Sequence, residues 1–274
     1  MKDYKLQSWL QKNNCFYKKG QAKHTHLCLD GGVLSIPDDL LEEFYKIYID
    51  CIQENRKLYI TEYPTDIFRF FADIDIKEDY AWSEEKFKIC LYCIQKVVHE
   101  IYKSPHNVIV CGTASKIIIE GGNKLYKTGF HLYWPDIYVT RQMASKLRNK
   151  IVERLIKDFG ERDSINPWGD VYDNCVYKKN TIRILYSRKM ARKKNKKGQV
   201  MYQDEGRSYR PFFSHPDKSL VEENTDKLDI FKLTTVRTPR GTMITPVEIK
   251  EEKKIDNTIE EYEDDGDDEI WNNV

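Results

Sequence analysis

Residues 68–76 alternate between apolar and other side chains, which is typical of a β-strand that buries one face. The even-numbered positions are all apolar and would face the core: Phe68, Phe70, Ala72, Ile74 and Ile76. The odd-numbered positions would share the other face: Arg69, Phe71, Asp73 and Asp75. Because alternate side chains point the same way, the strand presents two carboxylates about 6.5–7 Å apart at Cα.

Two long segments repeat apolar residues with the helical period of about 3.6 residues. Ser83 is the expected N-cap of the first helix, which continues to about residue 101. Thr140 is the expected N-cap of the second helix, which should end at Gly160. A further helix is predicted over residues 37–55. Strands between such helices predict an α+β fold with the helices on one face of a sheet.

Two further segments alternate as strands do. In a strand over residues 127–135, Thr128 and Phe130 would face the core. The residues on the opposite face would be Lys127, Gly129, His131 and Tyr133. Residues 181–187 predict another strand, and Arg183 shares parity there with Ser187 and the following Lys189. Cationic groups are therefore expected on one face of two different strands.

The composition is that of a globular protein of one large or two small domains, with 274 residues of which 40% are hydrophobic. We find no apolar segment long enough to span a membrane and no apolar signal region near the N-terminus. The seven cysteines are odd in number and irregularly spaced, which is a poor disulfide framework. We therefore expect an intracellular protein in a reducing compartment.

Charge is unevenly distributed along the chain. Residues 251–274 carry 11 acidic residues and two lysines, so the rest of the chain holds about +10 although the net charge is +1. We expect domain boundaries at 1–250 for a folded basic body and 251–274 for a disordered acidic tail. A basic body suggests a polyanionic partner such as nucleic acid.

The most basic segment is residues 188–197, with seven Lys or Arg in ten residues. It is either a solvated turn or a hairpin tip that grips the nucleic-acid backbone. The lysines expected to bind nucleic acid are Lys193, Lys194, Lys196 and Lys197.

Asp73 and Asp75 are candidate metal ligands. Two carboxylates that converge on one point repel each other, and a divalent cation removes that repulsion. Hard oxygen ligands suit Mg²⁺ or Mn²⁺. The alternative is a solvated pair of aspartates at the end of a strand, which an isolated Asp-x-Asp does not exclude.

The second polar face suits a phosphate. Lys127 supplies a positive charge, Gly129 allows the backbone N–H to approach, and His131 offers a hydrogen bond. Residues 170–189 add another acid and then Arg183 and Lys189. Together these groups are those that two-metal nucleotidyl transfer requires.

The motifs of this chain, in their order, resemble those of the archaeo-eukaryotic primase superfamily. They are Asp-x-Asp, Lys-x-Gly-x-His, Asp-x-x-Val-Tyr, and then Arg and Ser-x-Lys. The resemblance covers about residues 20–240 and is closest to primase-polymerases and to the primase domains of large DNA virus helicase-primases. It implies a mixed or antiparallel RRM-like sheet with helices on one face, preceded by an N-terminal αβ element over about 1–65. The metal-binding core would span about 66–240.

The resemblance also implies roles for individual residues. Asp73, Asp75 and Asp173 would be the catalytic metal ligands, with Asp170 as the rival for the third position. The incoming nucleotide would be bound by Lys127, Gly129, His131, Arg183 and Lys189. Arg69 is expected to touch nucleotide or template. The family often has serine where this chain has Gly129, so a hydroxyl contact would be lost there.

The resemblance implies a DNA primase or primase-polymerase that uses Mg²⁺ or Mn²⁺, nucleoside triphosphates and a single-stranded DNA template. No G-x-x-x-x-G-K-[ST] phosphate loop and no zinc knuckle are found. We therefore expect either a stand-alone module or one subunit of a larger complex whose helicase is on a separate chain. The expected location is a viral replication site. One alternative is an inactive nucleic-acid-binding subunit of a helicase-primase. Another is an Asp-x-Asp glycosyltransferase.

Overall fold

The structure is a computed structural model that describes residues 4–18, 24–163, 165–177, 181–194, 200–217, 221 and 225–238. The predicted acidic tail lies outside the described residues, as do Lys196 and Lys197. The described helices are α1 (Tyr4–Lys12), α2 (Leu41–Gln53), α3 (Glu84–Tyr102), α4 (Arg141–Phe159), α5 (Trp168–Val171) and α6 (Lys227–Thr234). Short 3₁₀ helices occur at Asp38–Leu40 and Cys175–Tyr177.

The described strands form three antiparallel sheets. The first sheet has the order β1-β3-β2-β4-β9, with β1 (Phe16–Tyr17), β2 (His26–Cys28), β3 (Val33–Leu34), β4 (Ile60–Glu62) and β9 (Ile182–Arg183). The central sheet has the order β12-β6-β8-β5, and β7 also pairs with β8. The strands of this sheet are β5 (Ile67–Glu78), β6 (Val108–Gly112), β7 (Lys116–Glu120), β8 (Asn123–Thr140) and β12 (Arg210–His215). The third sheet is the hairpin of β10 (Arg188–Lys194) and β11 (Val200–Ser208).

The predicted α+β class is confirmed by these helices and antiparallel sheets. Helix N-termini follow the predicted caps, since Ser83 Oγ accepts a hydrogen bond from the Lys86 N–H and Thr140 Oγ1 from the Met143 N–H. None of the helices within the described ranges has the length and apolar character that a membrane span requires.

Strand β5 is the strand predicted from the alternating pattern. All five of its predicted core residues are buried, and α3 packs on that side of the sheet through Phe87, whose ring stacks on Phe130 at 3.8 Å between centroids. The opposite face of β5 carries Asp73 and Asp75, which pair in register with His131 and Gly129 of β8. The helix layer therefore leaves the acidic face of the sheet available for a site.

The β5–β8 pairing is irregular at one place. Arg69 pairs with Tyr138, whereas Phe71 pairs with Tyr133, so β8 contains extra residues here, including Pro135. A proline has no N–H to give to a sheet, so irregularities of this kind are common where one occurs. The irregularity separates Arg69 from the regular part of the strand that carries the two aspartates.

The strand predicted over residues 181–187 is shorter than expected. Only β9 pairs with a neighbour, namely β4, and the chain then turns. The Ser187 N–H donates to the Ile184 carbonyl, and Tyr186 has a φ of 67°. The predicted alternation therefore does not extend to Ser187, which is buried and whose Oγ accepts a hydrogen bond from the Ile60 N–H.

Candidate active site

A cleft of about 310 Å³ opens on the acidic face of the central sheet. The structure brings seven of the sequence-predicted residues to its walls: Asp73, Asp75, Lys127, Gly129, His131, Arg183 and Lys189. They come from four strands, β5, β8, β9 and β10. The register of β5 and β8 makes direct cross-strand neighbours of Asp73 and His131 and of Asp75 and Gly129.

The two aspartates differ in their surroundings. Asp75 Oδ2 lies 2.6 Å from Lys127 Nζ, so its charge is balanced. Asp73 is deeper, and burial, followed by the charges of Asp75 and Asp173, raises the pKa of its carboxyl to about 8. Within the described part of the chain, Asp73 Oδ1 is buried with no hydrogen-bond partner. A positively charged partner would therefore stabilise the ionised form of the Asp73 carboxyl.

Asp173 approaches Asp73 through the backbone. Its N–H donates to the Asp73 carbonyl at 3.0 Å, next to a bridge between Tyr172 and Ile74. Its Oδ1 accepts a hydrogen bond of 2.7 Å from the Cys175 N–H. Neither Asp173 nor its rival Asp170 lines the cleft, but Asp170 is exposed on α5, whereas the charge of Asp173 adds to the effects of burial and Asp75 that raise the pKa of Asp73. The structure thus places Asp173, and not Asp170, beside the pair of aspartates.

The donor set fits a divalent cation. Among the described residues, no three acidic, histidine or cysteine side chains are already grouped at metal-ligand distances. However, Asp73 has an unpartnered oxygen, and burial together with repulsion from Asp75 and Asp173 raises its pKa; a bound cation would favour the ionised carboxylate in both respects. Asp73, Asp75 and Asp173 are the side chains that would hold it.

The cations on the other side of the cleft are only partly neutralised. Burial, and then the charge of Arg183, lowers the pKa of Lys189. Arg183 Nη1 is buried and has no hydrogen-bond partner among the described residues, and the guanidinium lies 4.7 Å from the centre of the Tyr209 ring. Positive groups that are short of partners form a favourable place for an anion such as a phosphate.

The surroundings of His131 favour its neutral imidazole form. It is 2% exposed, and burial followed by the charge of Arg183 holds its pKa well below the usual value. Its Nδ1 lies 2.9 Å from the Tyr133 hydroxyl, and its Nε2 lies 3.5 Å from Asp73 Oδ1. We assign the Tyr133 hydroxyl as the donor to Nδ1, which leaves a proton on Nε2 at the cleft.

The structure does not bring Arg69 to the cleft. Its Nη1 donates to the Lys232 carbonyl and, at 3.1 Å, to the Thr235 carbonyl at the end of α6. The Arg69 N–H also donates to the Val236 carbonyl, so the end of α6 and the segment after it bind this part of β5, a contact that strand parity could not show. Of the predicted nucleic-acid-binding lysines, Lys193 and Lys194 belong to β10, and Lys193 is exposed.

Several residues of the cleft have no counterpart in the sequence prediction of the site. Two of them are polar residues from the end of the hairpin: Arg207 belongs to β11, and Tyr209 joins β11 to β12. Arg207 donates to the Ala114 carbonyl at 3.2 Å and binds Glu205 at 3.0 Å. No local pattern could have found them, because only the return of the chain after the hairpin places them beside β8.

Comparisons with known proteins identify a family that this chain matches. A family model described as the C962R protein N-terminal AEP domain matches residues 23–203, where AEP denotes archaeo-eukaryotic primase. A search of the curated proteins finds no match. The matched range contains the three predicted motifs and covers more than half of the chain. The resemblance deduced from the motifs is therefore confirmed, and the chain belongs to this family of archaeo-eukaryotic primase domains.

Proposed function

We propose that the protein is a DNA primase or primase-polymerase that synthesises primers on single-stranded DNA from nucleoside triphosphates. The β5–β8 register carries the proposal, because it brings Asp73 and Asp75 directly opposite His131 and Gly129. Membership in the family adds support, since archaeo-eukaryotic primase domains are generally nucleotidyltransferases. A helicase on a separate chain and a viral replication site stay predictions.

The acidic side of the cleft would hold Mg²⁺ or Mn²⁺ through Asp73, Asp75 and Asp173. When bound, such ions lower the pKa of an attacking hydroxyl and neutralise charge on the leaving pyrophosphate. Lys127, which balances Asp75 in this structure, lies where it can turn to a phosphate once the acids have another partner.

The cationic side would bind the triphosphate. Arg183 and Lys189 supply positive charge, and the neutral His131 donates a hydrogen bond from Nε2 without adding charge. Gly129 has no Cβ, which leaves room beside Asp75 for the Tyr209 hydroxyl at the wall of the cleft. The two sides thus separate the binding of metal from the binding of phosphate.

An inactive nucleic-acid-binding subunit is the second candidate. It would explain the basic body, but it gives no reason for Asp73, a buried acid whose ionisation costs stability when no cation is present. The glycosyltransferase alternative does not account for Arg183 and Lys189 in the same cleft.

Primer synthesis on a single-stranded DNA template, with labelled nucleotides and Mn²⁺ or Mg²⁺, tests the proposal. We expect Asp73→Asn and Asp173→Asn each to lower the rate by on the order of 100-fold or more, since each removes a charge that stabilises the transition state. Asp170→Asn is the matched control and should retain wild-type activity.

Wild-type activity in Asp173→Asn together with a loss in Asp170→Asn would contradict the assignment of the third acid. No product from the wild-type protein, even with a pre-annealed primer, would favour the binding subunit instead. Thermal stabilisation by Mn²⁺ in wild type but not in Asp73→Asn separates a lost metal site from a lost fold.

A further inference from the structure

Tyr209 stands at the junction of β11 and β12 and is 3% exposed. Its carbonyl accepts a hydrogen bond of 3.1 Å from the Tyr186 N–H, in the turn that follows β9. The backbone at this position is therefore tied to the segment that carries Arg183. Although no sequence motif points to it, Tyr209 lines the same cleft as the acids and the cations.

The ring of Tyr209 contacts two residues of the cationic side. It stacks on His131, with 3.4 Å between ring centroids and 28° between the ring planes. The guanidinium of Arg183 lies 4.7 Å from its centroid. Contacts of both kinds restrict the orientation of an aromatic ring. The direction of the hydroxyl is thereby fixed as well.

The hydroxyl of Tyr209 occupies the space where a side chain at residue 129 would be. A Cβ built on Gly129 would lie 2.7 Å from Tyr209 Oη and 3.1 Å from Asp75 Oδ1. Real Cβ atoms essentially never come within 3.0 Å of another heavy atom, so any side chain at residue 129 would force the tyrosine hydroxyl to shift. The tyrosine and the glycine are thus a matched pair.

The hydroxyl is also without an internal partner. Within the described part of the chain it makes no hydrogen bond to protein, although it lies at the wall of the cleft beside Asp75. A phenolic hydroxyl is both a donor and an acceptor, and one placed in a largely buried site gains most from a ligand that uses it. The groups around it, Arg183, Lys127 and His131, are the phosphate-binding set of the proposed function.

We propose that Tyr209 is a nucleotide-binding residue whose hydroxyl donates a hydrogen bond to a phosphate oxygen of the nucleoside triphosphate. This inference rests on the proposed function. Gly129 leaves free the volume that the tyrosine hydroxyl fills.

Equilibrium titration of the full chain with a non-hydrolysable nucleoside triphosphate and Mg²⁺ provides the test, supported by KM and kcat for primer extension. Tyr209→Phe keeps the ring and removes only the donor, so we expect about 10-fold weaker binding, a higher KM and a smaller change in kcat. The control is Tyr92→Phe, on the exposed face of α3, which should bind as the wild type does.

A double-mutant cycle makes the test sharper. Gly129→Ser alone should weaken binding, because its side chain collides with Tyr209 Oη. In Gly129→Ser/Tyr209→Phe the collision is relieved and a hydroxyl returns to the same space, so binding should recover to within a few-fold of wild type. Equal thermal midpoints of the variants would confirm that folding is unchanged.

Wild-type affinity in Tyr209→Phe would overturn the inference and leave the proposed function intact. Additive losses in the double variant would overturn the matched pair of residues in the same way. Absence of triphosphate binding by the wild-type protein would overturn both this inference and the proposed function.

Discussion

Asp73 affects both the proposed metal site and the stability of the protein. Its pKa is raised from 3.8 to about 8, first by burial and then by Asp75 and Asp173. For a group whose pKa is raised by folding, the contribution to stability is complete below the unfolded value and is lost as the pH rises through the folded value. Asp73 should therefore destabilise the metal-free protein increasingly between about pH 4 and pH 8.

A cation that binds Asp73 must displace this proton, so metal binding should strengthen with pH. We expect the rise in thermal midpoint produced by Mn²⁺ to be larger at pH 8.5 than at pH 6, measured by calorimetry in matched buffers. Asp73→Asn, which cannot ionise, should remove this pH dependence. A Mn²⁺-induced shift that is equal at both pH values would contradict the role of Asp73.

The placement of the central site residues could be predicted from sequence because strand parity is a local property. Asp73, Asp75, Gly129 and His131 lie where two alternating patterns put them, and the register then makes them neighbours. Their catalytic roles stay predictions. Arg69 could not be placed in this way, because its partners at the end of α6 lie more than 160 residues away in the chain.

At the scale of elements, β4 holds the end of the described chain in place through a buried acid. Glu62 is fully buried, and its carboxylate accepts hydrogen bonds from the Val236 N–H at 2.9 Å and the Arg237 N–H at 3.5 Å. Burial raises its pKa to about 7. This carboxylate therefore fixes the segment after α6, to which Arg69 is also bonded.

Glu62→Ala should unfold at a lower urea concentration than wild type. The substitution leaves the Val236 N–H buried without its acceptor, so we expect a loss of about 2–4 kcal/mol in the free energy of unfolding. Glu43→Ala, at an exposed position of α2, is the control and should change stability by about 0.5 kcal/mol or less. If Glu62→Ala loses no more free energy of unfolding than Glu43→Ala does, the segment after α6 adds little to stability.

Elements with local signals could be predicted, and elements that depend on distant partners could not. The ends of α3 and α4 follow from Ser83 and Thr140, whose side chains cap their own helices. The strand expected over residues 181–187 is instead a two-residue strand and a turn, because β4 offers only a short edge and Ser187 binds the backbone of Ile60. Tyr209 belongs to the same class of non-local features.

For the whole molecule, the distribution of charge bears on how the proposed DNA template would be held. The basic hairpin β10–β11 continues directly from Lys189, which lines the cleft, to Lys193, which is exposed. A template that enters the cleft along this hairpin would exchange its counterions for lysine side chains. The acidic residues of 251–274 would then compete with DNA for the same positive surface.

The salt dependence of single-stranded DNA binding tests this arrangement. Each phosphate neutralised on a single strand contributes about 0.7 to the slope of log K against log salt concentration, so Lys193→Ala/Lys194→Ala should reduce the slope by about 1.4. Fluorescence anisotropy with a labelled oligonucleotide between about 50 and 200 mM salt measures it. Lys46→Ala/Lys157→Ala, at exposed positions of α2 and α4, removes the same charge elsewhere and should leave the slope unchanged. Equal slopes for both double variants would mean that the hairpin is a solvated turn and that DNA is held by the cleft alone.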